Sequence, residues 1–204
     1  MHAGGHLEAN DLTITGVHAI GAEAHGEGSC LSLKNCEMHD FSLEVAEEEP
    51  DAEGAEWRYW SGSEDDIPSP VVDRCTKKAV ARSWGVPEKS TGVRVVGSAA
   101  ATLLDCQVSE CTDACVCVMK SSCHLTSCTF SDADTGLDVS RQGSSAHATK
   151  CHLLGNRKGA SANFGATLTA VSCTSSGNTD EGFCALHGNS VELQTVSATR
   201  TAGA

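Results

Sequence analysis

Cysteine and histidine are the side chains whose spacing in this sequence points most directly to chemistry. In SSCHLTSCTF, residues 121–130, Cys123 and Cys128 lie five positions apart with His124 between them. Thiolate and imidazole groups this close in sequence are typical of zinc sites, and two cysteines can instead form a disulfide. A free cysteine can also pack in a core, where it behaves as a small apolar side chain. The positions of the other cysteines distinguish these three interpretations.

The cysteines recur with a nearly constant period. Segments such as LSLKNCEM, ATLLDCQV, CHLTSCTF and AHATKCHL each alternate small or apolar residues before one anchor position. The anchors are Leu12, Cys36, Cys106, Cys128, Cys151, Cys173 and Val196. From the third anchor onward they repeat at a period of about 22 to 23 residues. Leucine and valine can neither bind a metal nor form a disulfide. The shared position therefore predicts a buried column of free thiols.

A second series of small residues keeps step with the first and has the same period: Gly92, Ala114, Gly136, Gly159 and Gly182. Apolar residues alternate after each of them, which predicts a strand with one buried face. In this register Cys115 and Cys117 point inward. The outward column is predicted to contain Arg94, Val116, Asp138, Ser161 and Cys184.

Repeats of this length, built from short strands and turns, resemble the right-handed parallel β-helix of the pectate-lyase-like superfamily. AHATKCHLLGNRKGASA and LTAVSCTSSGNTDEGFCAL carry the resemblance. Asn156 and Asn178 follow their anchors by five positions, at the turn where that family stacks asparagines. The resemblance implies an all-β solenoid that forms a single domain over positions 1–204 and contains one long inserted loop. It also implies about eight rungs, each of roughly 22–24 residues.

The insertion lies in the long interval between Cys36 and Cys106, where the repeat is interrupted. Residues 46–70 combine an acidic run with prolines and aromatic residues, so we expect them to leave the solenoid as a loop. The acidic run lacks the spacing of a calcium loop and is interpreted as solvated. Residues 71–86, VVDRCTKKAVARSWGV, resemble an irregular returning rung with Cys75 inside.

The loop also contains the most concentrated aromatic surface of the chain, at Trp57, Tyr59 and Trp60. Such a cluster either contacts a sugar or protein ligand or folds back to cover the solenoid. We predict these three residues, with Arg94 and Asp138 on the outward strand column, as the binding residues.

The resemblance also implies what an enzyme of this fold would need. Lyases of the superfamily hold calcium with outward carboxylates and use an arginine as the base, whereas its hydrolases use two or three close aspartates. The outward column offers Arg94 and Asp138, two rungs or about 10 Å apart. Asp132 and Asp134 are placed in a turn, where aspartate is common. The sequence therefore predicts no catalytic residue, no metal site and no cofactor.

The remaining thiols and imidazoles have ordinary interpretations. The densest thiol group is interpreted mainly as core residues and not as metal ligands: Cys111, Cys115, Cys117 and Cys123. Cys184, predicted outward, is the candidate for a reactive or interfacial thiol. Three histidines have no common phase and are interpreted as surface residues: His147, His152 and His187.

The charge composition excludes some classes of binding partner. Fourteen Lys and Arg against 27 Asp and Glu give a formal net charge of −13, which disfavours nucleic acid and anionic membranes. No apolar run is long enough to span a bilayer. A core of free thiols suits a reducing compartment, so we expect a cytoplasmic protein unless an upstream secretion signal is missing.

The terminal rungs, LEANDLTI and VELQTVSA, present unpaired strand edges with few charges, which predicts end-to-end self-association or caps that this sequence does not include. Together these features predict a non-catalytic scaffold or binding module for a protein or carbohydrate ligand, which uses a sheet face and the Trp57–Trp60 loop. The alternative is a polysaccharide lyase or glycoside hydrolase that works in a groove along one sheet.

Overall fold

Three parallel sheets run along the chain, as the repeat predicts. The structure is a computed structural model that describes residues 5–16, 20–41, 89–186 and 190–200, without the side chain of residue 200. Sheet A contains β1 (His6–Asn10), β4 (Cys30–Lys34), β7 (Ala100–Leu104), β10 (Ser122–Thr126), β13 (Ser145–Thr149), β16 (Thr167–Val171) and β19 (Ser190–Gln194). Sheet B contains β2 (Thr13–Thr15), β5 (Glu37–His39), β8 (Gln107–Ser109), β11 (Thr129–Ser131), β14 (His152–Leu154), β17 (Thr174–Asn178) and β20 (Ser197–Arg200). Sheet C contains β3 (Ile20–His25), β6 (Thr91–Val96), β9 (Ala114–Met119), β12 (Thr135–Ser140), β15 (Lys158–Asn163) and β18 (Glu181–Leu186).

Each of six rungs supplies one strand to each sheet, and β19 and β20 add a partial rung, so equivalent residues stack along the axis. The all-β solenoid is confirmed, but the described strands make about six turns and not eight. β4 pairs directly with β7, and β5 with β8, although a long interval of sequence separates Cys36 from Cys106. The interpretation of residues 71–86 as an irregular returning rung with Cys75 inside lies outside the described residues and stays a prediction.

The anchor column is confirmed at the corner between sheets A and B. Cys36, Cys106, Cys128, Cys151 and Cys173 are all buried, and none of the eleven cysteines in the described ranges forms a disulfide. The residue before each anchor has a left-handed backbone, with φ from 51° to 56° between Asp11 and Thr195. This conformation turns the chain sharply and directs the next side chain inward. The Sγ of the anchor cysteine then lies close to backbone carbonyl oxygens. In Cys128 it is 3.3 Å from Thr126 O and 3.5 Å from Leu103 O.

The asparagine turn is also confirmed. Asn156 is fully buried, and its Oδ1 accepts a hydrogen bond from the Ala133 N–H at 3.0 Å. Its Nδ2 donates to Phe130 O at 3.1 Å, and its own backbone N–H donates to Oδ1 of Asn178 at 2.9 Å. The two side chains thus satisfy buried backbone groups where sheet B turns towards sheet C.

The register of β9 differs from the prediction by one residue. Val93 pairs with Val116 and Arg94 with Cys117, so Cys115, and not Ala114, occupies the column of small residues. Val116 is fully buried and Cys117 is half-exposed, which reverses their predicted directions. A shift of one residue exchanges the two faces of a strand, and this register buries Val116 and Val118 and turns Cys117 outward, while Cys115 stays buried.

The two end rungs expose side chains from the core columns. Leu7 is 53% exposed and Leu193 is 46% exposed, whereas their strand neighbours Leu31 and Ala170 are 2% and 1% exposed. Self-association stays a prediction: stacking of β19 of one copy on β1 of another would bury both leucines. We expect sedimentation to show oligomers whose population falls for Leu193→Lys and not for Thr102→Lys, a control on an exposed inner position. A wild-type monomer at low and high salt would contradict it.

Candidate functional site

A stack of mainly polar side chains follows the outer face of sheet C. Strand pairing aligns six positions, which we call the sheet C column: Glu23, Arg94, Cys117, Asp138, Ser161 and Cys184. Arg94 and Asp138, both predicted as binding residues, lie in it two strands apart, a separation of about 10 Å. Cys117, and not Val116, lies between them.

Two neighbours hold the Asp138 carboxylate in place. Ser161 Oγ donates to Asp138 Oδ1 at 2.6 Å, and Asn163 Nδ2 donates to the same oxygen at 3.2 Å. Ser161 is buried and Asp138 is half-buried, so both hydrogen bonds are partly shielded from water. Oδ2 makes no hydrogen bond to the described part of the chain and is available to accept one from a ligand.

Arg94 offers the complementary group. Its Nε lies 3.7 Å from Glu23 Oε1, too far for a hydrogen bond, and both side chains are between a third and two fifths exposed. The Nε–H is buried and has no hydrogen-bond partner among the described residues. A buried donor without a partner costs free energy, and a ligand acceptor would remove that cost.

Cys117 separates these two polar groups and is not an activated thiol. Burial and the nearby Asp138 carboxylate raise the pKa of Cys117 to about 12, so the thiol is protonated at neutral pH. A thiolate is the nucleophilic form of cysteine. Cys117 therefore contributes a small apolar surface between a cation and an anion.

The sequence of the solenoid matches a known repeat family. The family described as "Right handed beta helix region" matches residues 73–197, more than half of the chain. The chain belongs to this family. Searches of the curated proteins and of the solved structures gave no match to this chain. The membership establishes the right-handed β-helix and leaves the function to be argued from this chain's own residues.

Apolar side chains adjoin the sheet C column on this β-helix. Val96 and Met119 are half-buried in the next outward column, which also contains Asn163. At the edge of the face, Phe164 is 61% exposed and Leu186 is 42% exposed. The outer face of sheet C thus combines a cation, a fixed carboxylate and apolar surface.

A second set of charges lies at the corner between sheets B and C. Arg157 bridges two rungs, with Nε 2.5 Å from Asp134 Oδ1 and Nη1 2.6 Å from Asp180 Oδ2. Lys89 Nζ lies 2.9 Å from Asp113 Oδ1. The hydrogen bond from Arg157 holds the pKa of Asp134 below its usual range. In each of these exposed ion pairs the charges neutralise each other. We therefore interpret the pairs as contacts that stabilise the corner and not as ligand contacts.

The structure brings together only part of the predicted site. Trp57, Tyr59 and Trp60 lie outside the described residues, as do the 46–70 loop and His187. Cys184 is on the outward column as predicted, but it is 8% exposed, which disfavours a reactive thiol; its role as an interfacial thiol stays a prediction. Burial raises the pKa of Cys184, and a hydrogen bond with Glu181 adds to the shift.

Ser161 and Asn163 are the residues whose roles the sequence analysis missed. The repeat predicts Ser161 on the outward column but gives no partner for it, and it assigns no role to Asn163. The available signal was their spacing: residues two apart on a strand point to the same face, so SAN at 161–163 places a hydroxyl and an amide beside Asp138 on the neighbouring rung.

The column does not have the carboxylate spacing of a glycosidase. Asp138 and Glu23 are three strands apart, about 14 Å, whereas paired catalytic carboxylates are about 5–10 Å apart. In the ranges that the structure describes, no three His, Cys, Asp or Glu side chains converge to hold a metal ion. The same ranges contain no helix long and apolar enough to cross a membrane.

Proposed function

We propose that this β-helix is a non-catalytic binding module whose ligand lies on the outer face of sheet C. The observation that carries the proposal is the pairing of an unsatisfied Arg94 Nε–H with a fixed Asp138 carboxylate on one column. These groups present a donor and an acceptor about 10 Å apart on a regular parallel sheet. Two hydrogen bonds hold the Asp138 carboxylate, so it needs little reorganisation to bind, which lowers the entropic cost of association.

A protein ligand suits this face better than a carbohydrate. Protein interfaces commonly combine an apolar centre with charged groups around it, and arginine and aromatic residues are enriched there. Cys117, Val96 and Met119 supply apolar surface beside Arg94, and Phe164 supplies an exposed aromatic ring. The partner we expect therefore has an apolar patch next to an acidic and a basic side chain. The Trp57–Trp60 loop is proposed as a second contact.

The test compares charge-removing variants on two faces. Immobilised wild-type chain should retain a partner from an extract of its source cells. The double variant Arg94→Gln, Asp138→Asn should retain at least tenfold less of that partner. A hydrogen bond to a charged group contributes about 1.5–3 kcal/mol, and a tenfold loss corresponds to about 1.4 kcal/mol. The matched control is Lys34→Gln, Glu192→Gln, which removes one charge of each sign from the outer face of sheet A. Equal retention by both double variants would contradict the proposed face.

Two further measurements separate the alternatives. Deleting residues 46–70 should leave a cooperative melt, since β4 and β5 pair directly with β7 and β8, and should weaken capture if the loop contributes. Incubation with acidic and neutral polysaccharides should release no unsaturated or reducing ends. Release that Asp138→Asn abolishes would favour the lyase or hydrolase and contradict the proposal.

A further inference from the structure

Sheet A has a different outer face, and two imidazoles are its most distinctive feature. His124 on β10 and His147 on β13 occupy the same position on adjacent, directly paired strands. Both side chains are exposed, and their ring centroids are 6.0 Å apart with the ring planes tilted by 52°. Thr102 and Thr169 continue the same column on either side. The proposed binding face on sheet C does not include these residues.

The pair has free coordinating atoms. Within the described residues neither ring forms a hydrogen bond or an ion pair, so each has a ring nitrogen available to a ligand. His152, by contrast, also lies exposed on a strand, but its Nδ1 is 2.5 Å from Thr174 Oγ1 and is already engaged. The rings of His124 and His147 therefore differ from that of His152 in two ways: they stack on adjacent paired strands, and their ring nitrogens make no hydrogen bond within the described residues.

Strand geometry places the rings at a suitable spacing. Paired parallel strands lie about 4.8 Å apart, and a metal ion with two imidazole ligands holds each nitrogen at about 2.0–2.1 Å. Small rotations of two exposed side chains can bring their nitrogens to one ion. The backbone does not need to move, because hydrogen bonds such as Ser145 N–H to Ser121 O fix the strands on both sides.

We propose that His124 and His147 bind a divalent first-row transition-metal ion through two imidazole nitrogens. Imidazole suits Zn²⁺, Cu²⁺ and Ni²⁺, and the net charge of −13 favours the approach of a cation. The chain supplies two ligands here, and water completes the coordination. The site consequently leaves open positions to which a second ligand can bind.

Ni²⁺ is the probe, because an exposed thiol such as that of Cys30 competes more strongly for Zn²⁺ and Cu²⁺. Calorimetric titration of the full chain should show one ion bound per chain. His124→Gln and His147→Gln should each weaken binding by about tenfold or more, and His152→Gln should leave it unchanged. Since all three side chains are exposed, each variant should keep the wild-type melting curve.

A second readout locates the ion. Paramagnetic Ni²⁺ should broaden the amide resonances of Thr102, His124, His147 and Thr169 before those of sheet C. Failure to bind Ni²⁺, binding that His147→Gln leaves unchanged, or broadening centred elsewhere would overturn the proposal.

Discussion

Replacing Asn156 by alanine is expected to lower the free energy of unfolding by about 2–6 kcal/mol, because two buried backbone groups lose their partners. Asn156 Oδ1 accepts from Ala133 N–H, and its Nδ2 donates to Phe130 O. The side chain is fully buried, so bulk water does not reach these groups in the folded protein. Each orphaned group costs about 1–3 kcal/mol. The truncated methyl group can replace neither bond.

Urea denaturation followed by far-UV circular dichroism measures this effect. Gln107→Ala is the matched control: Gln107 is an exposed amide on β8 in an inner rung, and its substitution should change stability by less than about 0.5 kcal/mol. If the two variants were equally stable, the Asn156 amide would contribute nothing specific. The turn between sheets B and C would then depend on its backbone alone.

The repeat made most of the fold predictable. The constant spacing of the anchors set the rung length, and Asn156 and Asn178 marked the turn. These signals work because every rung meets the same steric demands at the same corner. The predicted rung count is higher than the described strands show, because length alone does not distinguish a rung from an insertion. The long interval between Cys36 and Cys106 separates the directly paired strands β4 and β7.

The error at β9 has a specific physical cause. ACVCVM contains apolar residues at consecutive positions, so alternation does not distinguish its two faces. Ala114 appeared to continue the column of small residues at the regular spacing. The structure instead places Cys115 there and buries Val116 and Val118 in the core. Packing against neighbouring rungs decides this register, and a single sequence does not reveal it.

The candidate site was predictable as a column but not as a cluster. Arg94 and Asp138 follow from the repeat, because each rung places one outward residue at the same point. The hydrogen bonds to Asp138 depend on Ser161 and Asn163 in the next rung, and the unsatisfied Nε of Arg94 depends on the 3.7 Å distance to Glu23. Such distances require side-chain positions, which the period of a sequence does not specify.

The thiol column supplies the second large expected effect. Cys128→Asp should lower the free energy of unfolding by at least about 3–5 kcal/mol at neutral pH, because it places an uncompensated charge in the core. Cys128 is fully buried, and its Sγ lies 3.5 Å from Leu103 O and 3.3 Å from Thr126 O. Those oxygens are hydrogen-bond acceptors and repel a carboxylate. Cys128→Val should cost no more than about 1.5 kcal/mol, since Val196 occupies the same column.

The dependence on pH distinguishes charge from shape. Burial raises the pKa of such a carboxyl in the folded state, so folding takes up a proton and the penalty grows as the pH rises above the unfolded-state pKa of about 3.9. Cys128→Asn, which has nearly the same shape and no charge, is the matched control. The stability difference between the Asp and Asn variants, measured by urea denaturation, should shrink as the pH falls from 7 towards 4. A constant difference over that range, or an Asp variant as stable as the Val variant at pH 7, would mean that the column is open to water and that its thiols are not core residues.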